Sequence, residues 1–170
     1  MTVKKFKLFL APDVEKEEQW LNEMSRQGLH LIKYQYFMYV FEEDPGKSYV
    51  YQIDFRQDAK KDYFQLYEDA GWEYMTNALS SFYYFRTNAT KSTIPKLYSD
   101  KESIHDSYRR MFGFYWLIFI LFLVSQVGVF ITWKGYLLQY MMVVVDIVIV
   151  ALYLYMFYAF NKRINFYRRR

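Results

Sequence analysis

Residues 111–133 read MFGFYWLIFILFLVSQVGVFITW, 23 positions without a charge. After Lys134 a second apolar run, GYLLQYMMVVVDIVIVALYLYMFYAF over 135–160, carries one charge, Asp146. A helix needs about 20 apolar residues to cross a hydrocarbon core of roughly 30 Å. Both runs reach that length, and their aromatic ends suit the membrane interface. A pair of core helices in a soluble domain is the alternative, but 170 residues leave too little chain to wrap two such helices. The expectation is a transmembrane hairpin, 111–133 and 135–160, with a very short turn at Lys134-Gly135. Its flanks are basic on one side: Arg109 and Arg110 before the first run, and Lys162, Arg163, Arg168, Arg169 and Arg170 in the tail 161–170. Only Lys134 stands on the other side. The positive-inside rule then puts both termini in the cytoplasm of a multi-pass cell-membrane protein. The tail is a topology signal or a contact for anionic membrane lipids. The start of the chain, MTVKKFKLFLAPDVEKEE, has too short an apolar run for a signal peptide.

Two polar residues fall inside these runs at similar predicted depth. Gln126 precedes the turn by nine residues and Asp146 follows it by eleven. They are expected to face one another across the hairpin, or to face a second copy of it. The pair serves as structural glue or as a proton- or cation-linked site in a pathway; the remaining alternative is an Asp146 that faces lipid and snorkels.

The first 90 residues are different in kind. They hold 11 Lys+Arg and 14 Asp+Glu, a formal charge of −3, so the basic pI of about 9.0 belongs to the membrane flanks. KKFKLFL (4–10) alternates as a strand. Asp13 is placed to cap a helix through Gln27, with Trp20, Leu21 and Met24 on one side and Gly28 just past its end. Leu29–Phe41 reads as one long aromatic strand, and EEDPG (42–46) as a turn. The pattern then restarts. SYVYQIDF (48–55) is a strand, and Asp58 is placed to cap a helix with Tyr63, Leu66, Tyr67 and Ala70 in one stripe. Gly71 ends that helix, and Trp72–Arg86 returns as strand material kinked near 77–81. Asp13 matches Asp58, Gly28-Leu29 matches Gly71-Trp72, and Tyr39-Val40-Phe41 matches Tyr83-Tyr84-Phe85. The expected fold is α+β: a ferredoxin-like split βαβ repeat (βαββαβ) as a cytoplasmic head over 1–87. An α+β sandwich with the same element order is the alternative. A polar linker and juxtamembrane segment over 88–110 joins head to hairpin. A sheet with both helices on one face leaves aromatics on the other, so Tyr34, Tyr36, Tyr49 and Tyr51 are the candidate contact surface.

Composition excludes much chemistry. Cys is 0, which removes disulfides, thiolate metal sites and cysteine nucleophiles, and two histidines cannot build a multi-histidine centre. His30 and His105 sit in no recognisable nucleophile motif, and there is no P-loop or G-x-G-x-x-G. Glu15, Glu17 and Glu18 suit the positive end of a helix dipole, and Glu42-Glu43-Asp44 lacks an EF-hand pattern. Residues 47–55 superficially resemble an RNA-binding strand but lack its glycines, and an acidic head repels phosphates. Asn88-Ala89-Thr90 matches a glycosylation sequon that a cytoplasmic location would leave unused. No catalytic, metal or cofactor site is expected, and no nucleic acid.

The run EKEEQWLNEMSRQGLHLIKYQYFMYVFEEDPGKSYVYQIDF, with YFQLYEDAGWEYM and FYYFRT, resembles a bacterial family, domain of unknown function 2812, over roughly residues 3–87. The signature residues are Trp20, Leu21, Met24, Gly28, Tyr51, Asp54, Phe55, Asp69, Ala70, Gly71, Trp72, Tyr84 and Phe85. The resemblance implies transmembrane helices after the domain, in membrane-anchored members encoded beside PadR-type repressors of Gram-positive bacteria. That context implies a regulated envelope-stress response and brings no activity or ligand. Two function classes follow. One is a non-enzymatic membrane-tethered regulatory, sensor or adaptor protein whose head binds a protein partner or ligand. The other is a small transporter or pore subunit that forms a homo-oligomer through the hairpin, with Asp146 in the pathway.

Overall fold

The computed structural model describes residues 1–89 and 101–168, with side chains for 1–89 and 104–168. Residues 90–100, with Pro95 of the expected linker and the end of the sequon, lie outside the described residues, as do Arg169 and Arg170. The chain divides into two units, 1–99 and 100–170.

In the first unit β1 (Thr2–Phe6) leads through a 3-10 turn, Ala11–Asp13, into α1 (Val14–Arg26); β2 (Leu29–Gln35) and β3 (Met38–Glu43) follow. The order repeats as β4 (Tyr49–Phe55), α2 (Lys61–Asp69), β5 (Glu73–Ala78) and β6 (Phe82–Asn88). The fold is α+β, with two antiparallel three-stranded sheets, β1-β3-β2 and β4-β6-β5. This departs from the single four-stranded sheet of a ferredoxin-like arrangement. Each long strand of the sequence reading, Leu29–Phe41 and Trp72–Arg86, folds back on itself as a hairpin. Its turn residues are Tyr36 and Phe37 (φ 48° and 63°) in one and Leu79 and Ser80 (φ 51° and 52°) in the other. Left-handed turns of this kind favour Asn and Gly, and neither stands at these tips.

The repeat is nevertheless real and in register. Each half is strand, helix, strand, strand, with the third strand central. The register shifts between Leu31 and Lys33 in β2 and between Tyr74 and Thr76 in β5. The extra residues, Ile32 and Met75, stand equally far past Gly28 and Gly71. Those glycines end α1 and α2 with φ of 78° and 82°. At Gly28 a Cβ would also lie 3.0 Å from the backbone of Pro45, closer than ordinary van der Waals contact, so any other residue there is both strained and crowded. The aspartates are not caps. Asp13 is the residue before α1 but makes no capping bond, and pairs with Lys16 instead. Asp58 is left-handed (φ 55°), and Lys60 precedes α2.

The two helices do different work. α2 lays Tyr63, Phe64 and Tyr67 against Trp72, Tyr83 and Phe85 on one face of β4-β6-β5. Leu66 and Ala70, expected in that stripe, are exposed, because the tyrosine edge turns inward instead. α1 packs Trp20 edge-on to Tyr39 and Phe41 of β3. Its other side lies along the open edge of β4. There Glu18 Oε1 accepts from Ile53 N–H, Asn22 Oδ1 from Tyr51 N–H and Ser25 Oγ from Tyr49 N–H, each at 2.7 Å. The helical spacing 18, 22, 25 thus meets alternate amides of a strand, and α1 stands where a further strand would pair. The inner face of β4-β6, with Tyr51, Ile53, Phe55 and Tyr84, is buried.

In the second unit α3 (Lys101–Ile131) and α4 (Leu137–Arg168) form a hairpin. Aromatic pairs such as Phe112–Phe157 and Phe119–Tyr153 fix their antiparallel register. α3 runs without a break through Arg110, and α4 continues to Arg168, so the segments expected to flank the apolar runs are helical where described. Tyr108 stacks on Tyr167 and meets Phe160 beyond the apolar stretch. The turn is closed by Gln139, which accepts from Lys134 N–H and Tyr136 N–H and donates to the Thr132 carbonyl. Both helices hold windows of mean hydropathy 2.3, of which 6% and 17% is buried. They are long and apolar enough to cross a membrane.

Candidate functional site

The head buries carboxylates and answers them with phenols. Glu17 accepts from the hydroxyls of Tyr39 (2.6 Å) and Tyr84 (2.5 Å). Asp54 accepts from Tyr63 and Tyr67, both at 2.8 Å. Burial pushes the Glu17 carboxyl up, against the two hydroxyls that pull it down. Glu18 is pushed up to about 8, chiefly by burial and further by the charges of Glu15, Glu17 and Asp54. Burial beside Glu17 raises Tyr39 and Tyr84, and burial beside Asp54 raises Tyr63 and Tyr67. These phenols therefore stay protonated as donors at neutral pH.

A Ser–His contact is also present. Ser25 Oγ lies 3.2 Å from His30 Nδ1, and His30 Nε2 lies 2.8 Å from the Asp44 carbonyl. The carbonyl requires Nε2 to be the donor, which leaves Nδ1 to accept from Ser25. Ser25 is 1% exposed and its oxygen already accepts from Tyr49 N–H. This chain of bonds ties the 44–46 turn to α1 and holds no accessible nucleophile. Ser25 and His30 are five residues apart, but Asp44 and Tyr49 come from distant segments, and spacing offered no signal for the chain as a whole. The buried roles of Glu17 and Asp54 were equally hidden, since both look like solvated charges.

The four tyrosines expected to share a surface do not. Tyr51 is buried, its hydroxyl 2.9 Å from Leu31 N–H. Tyr34 stacks on Tyr84 between the sheets. Tyr49 stands edge-on to His30, under the Arg86 guanidinium at 4.3 Å. Only Tyr36 is freely exposed, at 83%.

Tyr36 belongs instead to an apolar end of the head. Leu31 N–H meets Tyr51, whose partner Arg86 pairs with Glu73, and Tyr34 N–H meets Thr76. β2 and β5 therefore run side by side in the same direction, and both hairpin tips point to one end. β1 and β4 finish there too, since Phe6 pairs with Met38 and Phe55 with Phe82. At this end Phe6, Leu8, Tyr36, Phe37 and Leu79 are exposed. Every described non-glycine residue with positive φ is also here: Tyr36, Phe37, Asp58, Leu79 and Ser80. β6 leaves toward the opposite end.

In the hairpin the Phe119–Tyr153 register puts Gln126 level with Asp146, and both are partly buried while their neighbours are exposed. Gln126 Oε1 has no hydrogen-bond partner among the described residues. The same register gathers Arg109, Arg110, Lys162, Arg163 and Arg168 at one end and leaves Lys134 at the other. Among the described residues no group of acidic and histidine side chains could hold a metal ion.

The family model described as protein of unknown function (DUF2812) matches residues 13–121, more than half of the chain, and the chain belongs to that family. The match continues past the head into α3. No curated protein and no solved structure matches the chain.

Proposed function

We propose that this member of the DUF2812 family is a non-enzymatic, membrane-tethered regulatory, sensor or adaptor protein, held by α3 and α4 with both termini in the cytoplasm. The observation that carries this is the exposure of the hairpin's apolar windows, only 6% and 17% buried, beside a head that closes its own core. In the head the buried Glu17, Asp54 and His30 are each engaged by head residues, which leaves its surface to act. The basic cluster at one hairpin end supports the orientation. Protease added to right-side-out vesicles is expected to leave the head intact; digestion there would reverse the topology.

A second reading, a pore or transporter subunit, draws on the unpartnered Gln126 Oε1 level with Asp146. The full chain purified in detergent and reconstituted in liposomes separates the two. A monomer or dimer that preserves ion gradients supports the tethered module. A larger oligomer with flux that Asp146→Asn abolishes supports the pore.

A further inference from the structure

We propose that the apolar end of the head, formed by Phe6, Leu8, Tyr36, Phe37 and Leu79, docks on the surface of an anionic bilayer. This rests on the membrane-tethered reading above. Three observations carry it.

The first is backbone conformation. Tyr36, Phe37 and Leu79 are held left-handed, which is unfavourable for any side chain bearing a Cβ. Tyr36 and Leu79, at 83% and 82% exposure, gain almost no packing in return. Apolar side chains kept at strained, exposed tips point to a use outside the folded head.

The second is electrostatic polarity. At this end Lys5, Lys7, Arg56, Lys60 and Lys61 outnumber Asp58, Asp62 and Glu15, and Asp13 is held by Lys16. The opposite end carries Glu42, Glu43, Asp44, Glu68, Asp69 and Glu73. Against these stand Arg26 in the last turn of α1, and Lys47 and Arg86, which are paired to Asp44 and Glu73. A head with net charge −3 over 1–90 is repelled by anionic lipid unless it approaches by its basic end. Aromatic and aliphatic tips beside lysines are also the composition that settles at a headgroup boundary. A second copy of the same end would oppose like charges, which disfavours self-association there.

The third is reach. The chain leaves the head at the acidic end, but twelve residues separate Asn88 from Lys101. That length spans at most about 40 Å, against about 23 Å for a seven-residue strand. Chain length alone therefore does not bar the basic end from the bilayer.

The chain has no cysteine, so single-cysteine variants report one position each. Leu79→Cys and Tyr36→Cys probe the apolar end, Lys47→Cys the acidic end, and Val127→Cys an exposed position of α3. Each full-length variant is labelled with an environment-sensitive fluorophore and reconstituted in phosphatidylcholine vesicles, with or without phosphatidylglycerol, containing a doxyl-lipid quencher. The label at 79 and at 36 is expected to lose roughly half its emission with phosphatidylglycerol present, and the label at 47 none. A label at 127 quenched in both vesicles upholds the spanning hairpin. If 127 is quenched while 79 and 36 behave like 47, the docking proposal fails and the tether stands. If 79 and 36 are shielded from aqueous iodide yet untouched by lipid quencher, a protein covers this end and the proposal is overturned. If 127 is unquenched, the membrane reading itself falls.

Discussion

The two halves of the head share a plan and divide the labour differently. Both run strand, helix, strand, strand, both carry an extra residue at the same place in the third element, and both end their helix on a left-handed glycine. Yet α1 buries Trp20, Leu21 and Met24, whereas no residue of α2 is fully buried. The difference lies in what each helix touches. α2 serves only its own sheet. α1 covers the first sheet and also supplies acceptors to the β4 edge of the second. Repetition built the topology, and the bridging helix made one core from two sheets.

The largest test of that contrast is a pair of truncations in the head expressed alone as residues 1–89, which is expected to unfold cooperatively. Leu21→Ala, at a site with no exposure, is expected to cost about 2–5 kcal/mol. Leu66→Ala on α2 is expected to stay within about 0.5 kcal/mol. Equal losses in urea titrations would show that the two helices carry the core equally.

The pH dependence follows from the same bridge. The Glu18 carboxyl, between α1 and β4, has a folded-state pKa pushed up to about 8, well above its ordinary value of 4.5. A raised carboxyl favours the folded state most when protonated. Its contribution is full below about 4.5 and is lost as pH rises through about 8. Head stability is therefore expected to decline between those limits. Glu18→Gln keeps an acceptor for Ile53 N–H and should flatten the decline. An unchanged slope in the variant would remove Glu18 as its cause.

These features also mark what was legible in the sequence. The apolar runs, the repeat, Trp20-Leu21-Met24 and the two glycines were readable because burial and left-handed backbone each impose a residue type. The hairpins were not, because Tyr36-Phe37 and Leu79-Ser80 carry none of the Asn or Gly that signal such turns. Two strands therefore read as one, and a four-stranded sheet was inferred where six strands stand. The four-tyrosine surface failed for a related reason. Strand parity cannot tell an open face from one closed by a second sheet, and Tyr51 and Tyr34 lie in that closure. The polar ladder 18, 22, 25 was hidden because Glu, Asn and Ser at helical spacing look like a solvated face.

That ladder gives a smaller effect. Asn22→Ala removes the acceptor of Tyr51 N–H at a partly buried edge. Leaving such a donor unpaired costs about 1–3 kcal/mol. Hydrogen exchange at Tyr51 should accelerate, with Gln52, whose amide alternates toward β6, much less affected. Uniform acceleration across β4 would mean that the helix packs there without acting as an edge partner.

The smallest change reverses sign. At the two tips, a turn that prefers Asn-Gly holds Tyr36-Phe37 in one half, and Leu79 is left-handed in the other. Tyr36→Asn with Phe37→Gly replaces two residues that strain the turn by two that suit it. Left-handed backbone costs residues with a Cβ roughly 1–2 kcal/mol each, and Asn and Gly lose less. Some packing by Phe37, which is 49% exposed, is given up in exchange. The net expectation is a head more stable by about 1 kcal/mol. The same variant in the full chain should lose lipid quenching at a label on position 79, because two of the five apolar anchors are gone. Stability gained with docking lost would mean that the tips are kept apolar against the interest of the fold. Stability lost would show instead that Tyr36 and Phe37 are structural, and that the strain at this end is offset within the head itself.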